Sequence, residues 1–371
     1  MSRTQSHETV LEDFEHALLT ALGVEESDVP FAAWASAYER LSNEYVETHG
    51  SSFAPDPDEM AVRGLAYGSR TLHLALRLLA AYPPPDGPLV ELGSGLGPFG
   101  FAARTLGRTG SITLVDRSRT LLEVARRLGE SRPGWMVTTE ESDATAFLRR
   151  QLTGETACVA LPYSLLELAR TTRPLDVVLE TARLLRPGGR IYVLEPGDRS
   201  SGRSLSTLRA ELLEHPARLL RVTAPCTHSA PCPRLTHHGD WCHLTWPLHL
   251  GPIGRRVADL ARRRHSEVHF SFLILDRLAE SAAVSSESPD PSRTQRLLES
   301  RRSGPGKRVL RTCGTEGERV LVGLTRDRTL EAYLGQVLPG AVVTLDESKL
   351  TPKGDGERMS NSAALRVIRE F

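Results

Sequence analysis

No apolar stretch in this 371-residue chain approaches the roughly 20 residues that a bilayer-spanning helix needs, so no membrane partner is expected. Net charge is missing as well: 46 Lys and Arg balance 46 Asp and Glu. Such a molecule is no electrostatic glove for nucleic acid as a whole, and no DNA partner is expected. The first residues, Met1 to Glu8, lack the apolar core and small-residue cleavage site of a secretory signal. The default compartment is therefore cytoplasmic, where structural disulfides are rare. Five cysteines then point away from redox staples. Internal repeats are absent, and so is the paired Cys-x-x-Cys spacing of common zinc modules.

What is present is an ordinary globular composition, 40% hydrophobic and 25% charged, long enough for two or three units around a large core. Residues 1–60 carry apolar side chains at helical spacing, from Leu11 to Leu22 and from Phe31 to Tyr45. The Pro- and Asp-rich stretch from Ser51 to Asp58 reads as a linker, and a further helix spans about Ala61 to Tyr82 before Pro83-Pro84-Pro85. From Pro88 onward the pattern alternates strand and helix through a strand at Arg190 to Leu194. That rhythm predicts an α/β fold with a Rossmann-like, doubly wound parallel sheet over residues 61–200. Residues 201–265 form a Cys/His-rich insertion. Residues 266–330 are expected to complete the sheet with the run His269 to Leu275 and a hairpin from Lys307 to Leu324. Residues 281–306, rich in Ser, Pro and Arg, read as a mobile loop, and residues 331–371 as a tail with weak signals.

The run Leu89-Val90-Glu91-Leu92-Gly93-Ser94-Gly95-Leu96-Gly97 sits between a strand and a helix. Glycines there let the backbone pass close to a ligand, and the helix start adds oriented N–H groups. A dinucleotide site would need its third glycine one residue later than Gly97. Glu91 would repel a pyrophosphate but suits the amino group of a methionine moiety. Asp116 ends the next strand, where a carboxylate can accept both hydroxyls of a ribose, and Asp143 is a candidate for an adenine amine. Glu91, Gly93, Ser94, Gly95, Gly97, Asp116 and Asp143 thus form a candidate site for S-adenosyl-L-methionine. These residues, with Leu185-Arg-Pro-Gly-Gly-Arg before the fifth strand, resemble the seven-stranded S-adenosylmethionine-dependent methyltransferases over about residues 60–200.

Cys226, Cys232 and Cys242 crowd one Pro-rich segment, and Cys313 follows about 70 residues later. Four thiolates suit zinc or an iron–sulfur cluster, and the spacing alone does not choose. His228, His237, His238, His243 and His249 lie in the same stretch and can replace one thiol. Cys158, in an apolar strand, reads as a small core residue. The blocks Cys226-Thr-His-Ser-Ala-Pro-Cys232-Pro and Gly239-Asp240-Trp241-Cys242-His243 resemble the signature of ribosomal small-subunit-associated methyltransferase-like proteins, the mitochondrial small-subunit assembly members and their bacterial relatives. Ser271-Phe-Leu-Ile-Leu-Asp-Arg and the Lys307–Leu324 hairpin also resemble that family, which brings the resemblance to about residues 60–325. It implies a 4Fe–4S cluster on Cys226, Cys232, Cys242 and Cys313, and the small ribosomal subunit or its rRNA as partner. Departures are Leu244, where the family has an aromatic residue, and the loss of the proline after Tyr67 and Arg70. They mark a divergent, bacterial-type member.

Turnover leaves no mark in the sequence. Amino-group methyltransferases often place Asn or Asp before Pro-Pro-aromatic, but this chain reads Ala160-Leu161-Pro162-Tyr163. The Pro-Cys and Thr-Cys dipeptides, ending at Cys226, Cys232 and Cys313, fall outside the positions used for cytosine-C5 chemistry. No catalytic residue is assigned. Three functions stay open: an rRNA methyltransferase, a non-catalytic ribosome assembly factor that keeps the cofactor fold, and a zinc-bearing small-molecule methyltransferase. The basic runs Arg255-Arg256, Arg262-Arg263-Arg264, Arg301-Arg302 and Lys307-Arg308 read either as solvated faces or as a phosphate-contacting patch.

Overall fold

The structure, a computed structural model, describes residues 6–48, 55–108, 110–131, 135–151, 154–236, 239–279 and 294–371, without the side chains of residues 45–48. Its contacts divide the chain into two units, Met1–Val193 with Pro247–Val268, and Leu194–Trp246 with His269–Phe371.

In the first unit, α1 (His7–Leu22) starts at Ser6, whose hydroxyl accepts the Thr9 N–H at 3.2 Å. Its Leu11, Phe14 and Leu18 recur at helical spacing and are fully buried. After α2 (Phe31–Thr48), α3 (Pro57–Val62) runs through a π-helical turn at Arg63–Gly68 into α4 (Ser69–Ala81). The continuous helix predicted over residues 61–82 is thus interrupted where Gly64 meets α1. A Cβ there would stand 2.2 Å from Leu18 Cδ2.

Alternation follows as predicted: β1 (Leu89–Leu92), α5 (Pro98–Thr105), β2 (Ile112–Asp116), α6 (Arg119–Glu130), β3 (Val137–Glu141), α7 (Ala144–Arg150), β4 (Thr156–Pro162), α8 (Leu165–Leu168), α9 (Pro174–Leu184) and β5 (Leu185–Pro196). β1 pairs in parallel with β2 and with β4, and β2 with β3. The order β3-β2-β1-β4-β5 reverses direction beside β1, and ligands of such sheets bind at the carboxyl ends of the strands at that switch point. Every residue of β1 and β4 is buried, as expected of strands covered on both faces.

The division between units passes through β5. Beyond it come α10 (Arg199–Glu214), β6 (Leu220–Ala224), α11 (Pro233–Thr236), β7 (Leu244–Pro247), α12 (Pro252–Leu260, in the first unit) and β8 (Glu267–Arg277). In the second unit the order is β5-β8-β6, with β7 also on β8, and β8 runs antiparallel to β6. The parallel strands β3-β2-β1-β4 and the antiparallel β8–β6 pair belong to one Rossmann-like methyltransferase sheet in this α/β fold. Among the described residues, no helix is long and apolar enough to cross a membrane.

The second unit also builds a sheet of its own. It contains β9 (Thr294–Arg302), β10 (Lys307–Gly314), β11 (Gly317–Leu324), β12 (Val342–Leu345), β13 (Leu350–Lys353), β14 (Gly356–Met359) and β15 (Leu365–Arg369), with α13 (Arg328–Gln336) between β11 and β12. β9, β10 and β11 form an antiparallel meander, β12 returns antiparallel to β9, and β14 lies parallel to β11. A meander, a helix, a return to the first strand and a parallel closure on the third is the connectivity of an OB-type barrel. Leu297, Leu310, Leu321, Leu334, Val343 and Leu365 share its core.

Three expectations are corrected here. The Lys307–Leu324 hairpin does not complete the methyltransferase sheet, because its inward leucines face β9, α13 and β12 instead. Residues 331–371 are not a tail but carry α13 and the strands β12 to β15. Their strands are short and each gives only a few side chains to the barrel core, so none announces itself in the sequence. Within the loop expected over residues 281–306, residues 294–302 are the strand β9, and residues up to 293 lie outside those described.

Candidate functional site

Two places gather the predicted site residues, one in each unit. At the carboxyl end of β1 the chain turns through Gly93 (φ 64°) and Gly95 (φ 52°), both in the left-handed region that side chains resist. A Cβ on Gly93 would meet Ser164 Cβ at 2.6 Å, whereas one on Gly95 would meet nothing within 4 Å. Ser164, just past β4, donates its hydroxyl to Leu92 O at 2.7 Å and so pins the turn to the neighbouring strand. The loop is also tied to β2: Ser94 N–H donates to Val115 O at 3.0 Å, and Gly95 N–H to Asp116 Oδ2 at 2.8 Å. Gly97, also left-handed, precedes α5.

Asp116 accepts a second N–H, from Ser118, at 2.8 Å on Oδ1. Each carboxylate oxygen keeps a further lone pair, so the group can still accept ribose hydroxyls. Ser94 Oγ is buried without a hydrogen-bond partner. An orphaned hydroxyl, an open face at Gly95 and a half-buried carboxylate fit a nucleoside or amino-acid ligand.

Glu91 and Asp143 each accept backbone N–H groups at a helix start. Glu91 is 0% exposed, and its carboxyl accepts Phe99 N–H at 3.3 Å and Gly100 N–H at 2.8 Å. It fills the start of α5, where backbone N–H groups lack helical partners. Burial outweighs those two bonds and pushes its pKa up to about 8. Asp143 caps α7, accepting the N–H of Thr145 at 3.0 Å and of Ala146 at 3.1 Å. Burial pushes its carboxyl up, but the bonds from Thr145 and Ala146 hold it below its usual value.

In the second unit Cys226, Cys232 and Cys242 line one narrow cavity together with Arg209, Arg296 and His243. Cys313, on β10, lies 3.8 Å from His228 Nε2. Burial raises the Cys242 pKa, and Cys226, Cys232 and Cys313 raise it further. Burial pushes Cys313 up to about 12, with Cys226, Glu318 and Cys232 adding to the rise. All four are free thiols, as is Cys158, which is buried within β4. Among the described residues, no three His, Cys, Asp or Glu side chains close into a finished coordination shell. The gathered sulfurs nonetheless have the donor chemistry of a thiolate-bound centre.

Arginines hold this irregular segment in place. Arg234 grips Glu318 of β11 with two nitrogens, Nε at 2.5 Å and Nη2 at 3.2 Å, while Nη1 donates to Asp240 Oδ1 at 3.2 Å and Trp241 O at 2.8 Å. Arg203 donates to Asp240 O and Leu235 O, both at 3.2 Å. Trp241 Nε1 donates to Gly197 O at 2.8 Å, and its ring stacks on His243 with centroids 5.1 Å apart. Of the histidines considered as ligands, His228 is beside a thiol and His243 beside the cavity. His249 packs against His73 in the first unit, and His237 and His238 lie outside the described residues. The arginines were not singled out in the sequence; only the need to order a Pro-rich segment hints at them.

Several basic runs serve internal contacts. Arg256 sits 4.0 Å over the Phe31 ring, and Arg263 donates to Asn43 Oδ1 at 3.1 Å. Arg302 and Arg308 both bond Glu331, and Arg301 pairs with Glu299 at 2.7 Å.

No curated protein matches the chain. Among solved structures it is similar to a ribosomal protein L11 methylase from Lactobacillus delbrueckii subsp. bulgaricus, at 13% identity over 58% of this chain and 81% of the other, with a TM-score of 0.35. A precorrin-6y C5,15-methyltransferase from Geobacter metallireducens gives 13% identity, 56% and 87% coverage and 0.36. A SAM-dependent methyltransferase from Aquifex aeolicus gives 9%, 58% and 98%, and 0.34. Likeness at this level carries no weight beside the strand order itself. Residues 81–335 match the family described as mitochondrial small ribosomal subunit Rsm22. That match covers more than half of the chain, including the glycine loop and all four clustered cysteines, and the protein belongs to the Rsm22 family.

Proposed function

We propose that this protein is an S-adenosylmethionine-binding, methyltransferase-like factor that acts on or with the rRNA of the small ribosomal subunit during its assembly. It carries a 4Fe–4S cluster on Cys226, Cys232, Cys242 and Cys313, with zinc as the alternative occupant. The observation that carries the reading is the glycine loop: its backbone is tied to Asp116 while Gly95 and the Ser94 hydroxyl face no partner of their own. The family's printed description supports the subunit as partner.

S-adenosylmethionine supplies an electrophilic methyl group. The chain's part is to orient the ligand, with Asp116 on the ribose hydroxyls and the loop backbone against the methionine portion. Glu91 shapes the start of α5 through its bonds from Phe99 and Gly100. The four thiolates would hold a centre that serves structure rather than methyl transfer.

A second reading, a non-catalytic assembly factor, is favoured by Ala160 and Leu161. Both are apolar and buried at the end of β4, where amino-group methyltransferases present a polar acceptor residue. Calorimetry with S-adenosylmethionine tests the loop, and Asp116→Ala is expected to weaken binding by about 1–3 kcal/mol through loss of charge-assisted hydrogen bonds. Absence of binding by the wild-type protein refutes the first reading and favours the second. Crosslinking to RNA in cells, followed by sequencing, tests the partner: small-subunit rRNA is expected, and its absence favours a small-molecule methyltransferase.

A further inference from the structure

The wall of the thiol cavity holds a cation that no carboxylate among the described residues neutralises. Arg209 lies on α10 and is 2% exposed. Its Nη2 donates to His228 O at 2.6 Å and Ala230 O at 3.1 Å, both carbonyls of the segment between Cys226 and Cys232. Among the described residues its Nε and Nη1 are buried with no hydrogen-bond partner, and no carboxylate pairs with it. Yet the guanidinium shares a cavity with Cys226, Cys232 and Cys242. A buried charge without a counter-charge is strongly unfavourable, and so is each N–H left unmade.

The second buried arginine on that wall, Arg296, is 3% exposed and committed to backbone: it donates to Pro225 O and Gly340 O. The two arginines therefore differ. Arg296 fixes the chain at Cys226, whereas Arg209 brings two unused donors and a full positive charge to the thiols.

We infer that Arg209 is the built-in counter-ion of the thiolate centre, donating its free N–H groups to ligand sulfur, chiefly that of Cys226. This inference rests on the metal reading above. Four thiolates around a divalent ion or a 4Fe–4S cluster leave net negative charge in a half-buried site. Arg209 offsets that charge and at the same time gains the partners it otherwise lacks. It is a positioning residue in the outer shell, of the kind that orients ligands and tunes the centre they hold. A guanidinium beside the centre also favours the more negative, reduced state, so it raises the reduction potential of a cluster.

The test uses the full chain, purified anaerobically and reconstituted with ferrous iron and sulfide or, separately, with Zn²⁺. Wild type is compared with Arg209→Lys and Arg209→Gln. Iron, sulfide and zinc per chain, the rate of metal loss to a chelator, the Tm with and without metal, and the redox midpoint of any cluster are read. Arg209→Gln is expected to lose metal on the order of tenfold faster, the low end for outer-shell partners. Any cluster it holds should have a lower midpoint, and most of the metal-dependent gain in Tm should be gone. Arg209→Lys, which keeps the charge but not the fork, should restore the midpoint in part.

If Arg209 only braced His228 and Ala230, Arg209→Gln would lower the Tm of metal-free and loaded protein equally and leave the midpoint in place. That result overturns the inference and spares the metal reading. Should Arg209→Gln fail to fold, Arg209→Met, which keeps an apolar stem without charge or donors, is measured instead, and an unchanged midpoint and loss rate in that variant overturn the inference as well. A wild-type protein that takes neither cluster nor zinc overturns the metal reading itself.

Discussion

The two candidate sites are shaped by opposite means. The loop at Gly93–Gly97 is made by backbone: glycines take conformations other residues resist, and short side chains close to them in space, Ser164 and Asp116, staple the turn to its neighbours. The thiol segment has almost no regular backbone and is shaped by long side chains. Arg203, Arg209, Arg234 and Arg296 reach across it to carbonyls and to Glu318. A site of the first kind is rigid before its ligand arrives. A site of the second kind concentrates positive charge around its sulfurs and is complete only when they carry the matching negative charge. The OB-type barrel sharpens the contrast. Nucleic-acid ligands of such barrels often use the face of the second and third strands, and here that face gives Cys313 and Glu318 to the thiol segment.

Removing one stitch should have the largest effect. Arg234 is largely buried and bonds Glu318, Asp240 and Trp241 together. Arg234→Ala strands the Glu318 carboxylate and is expected to cost about 3–5 kcal/mol, as for one partner of a buried ion pair. Urea unfolding measures the loss. Metal retention should fall with it, while affinity for S-adenosylmethionine stays within about twofold of wild type, under 0.5 kcal/mol. Loss of cofactor affinity on the same scale would break the comparison, because the two sites would then not be held by separate means.

The first unit should answer to pH. Burial lifts the Glu15 carboxyl to about 7 against the bonds it accepts from Gly254 and Ile253, and lifts Glu91 to about 8. In both, the folded pKa exceeds the unfolded value near 4.5. The stability they contribute is therefore fully present below pH about 4.5 and is lost as pH rises through about 7 and 8. At about 1.4 kcal/mol per unit, Glu15 alone can contribute a decline of up to about 3 kcal/mol. Urea midpoints from pH 5 to 8.5 should fall with pH, and Glu15→Gln should flatten the curve over its lower half. A rising curve would mean that the helix N-termini hold both groups ionised.

How much of this was legible follows from the same distinction. Glycine spacing and a strand-end aspartate are local signals, and the structure gives Gly93, Gly95 and Gly97 their positive φ and sets Asp116 against Gly95. Which way Glu91 points was not legible. A strand-end carboxylate can face a ligand or fold back onto the next helix, and only the position of Phe99 and Gly100 decides. The cysteines could be listed from sequence, but the pair Arg234 and Glu318 is 84 residues apart and leaves no periodic trace. The OB-type barrel escaped for another reason. Its later strands are four or five residues long, too short for alternation to stand out.

The smallest expected effect separates the two glycines within the loop. Both have positive φ, so an alanine at either bears about 1–2 kcal/mol of backbone strain. Gly93→Ala adds a collision with Ser164 Cβ at 2.6 Å, which must displace the end of β4 and brings the total to about 2–4 kcal/mol. Gly95→Ala meets nothing within 4 Å and should cost only the strain. If the open face at Gly95 is where the ligand lies, the order reverses in binding. Gly95→Ala then loses S-adenosylmethionine affinity by more than its stability cost, because the new methyl occupies the ligand's space. Thermal unfolding and calorimetry on the two variants give four numbers. Equal loss of affinity in both would mean that the loop acts as one strained unit, and that the open face beside Gly95 does not mark the ligand's position.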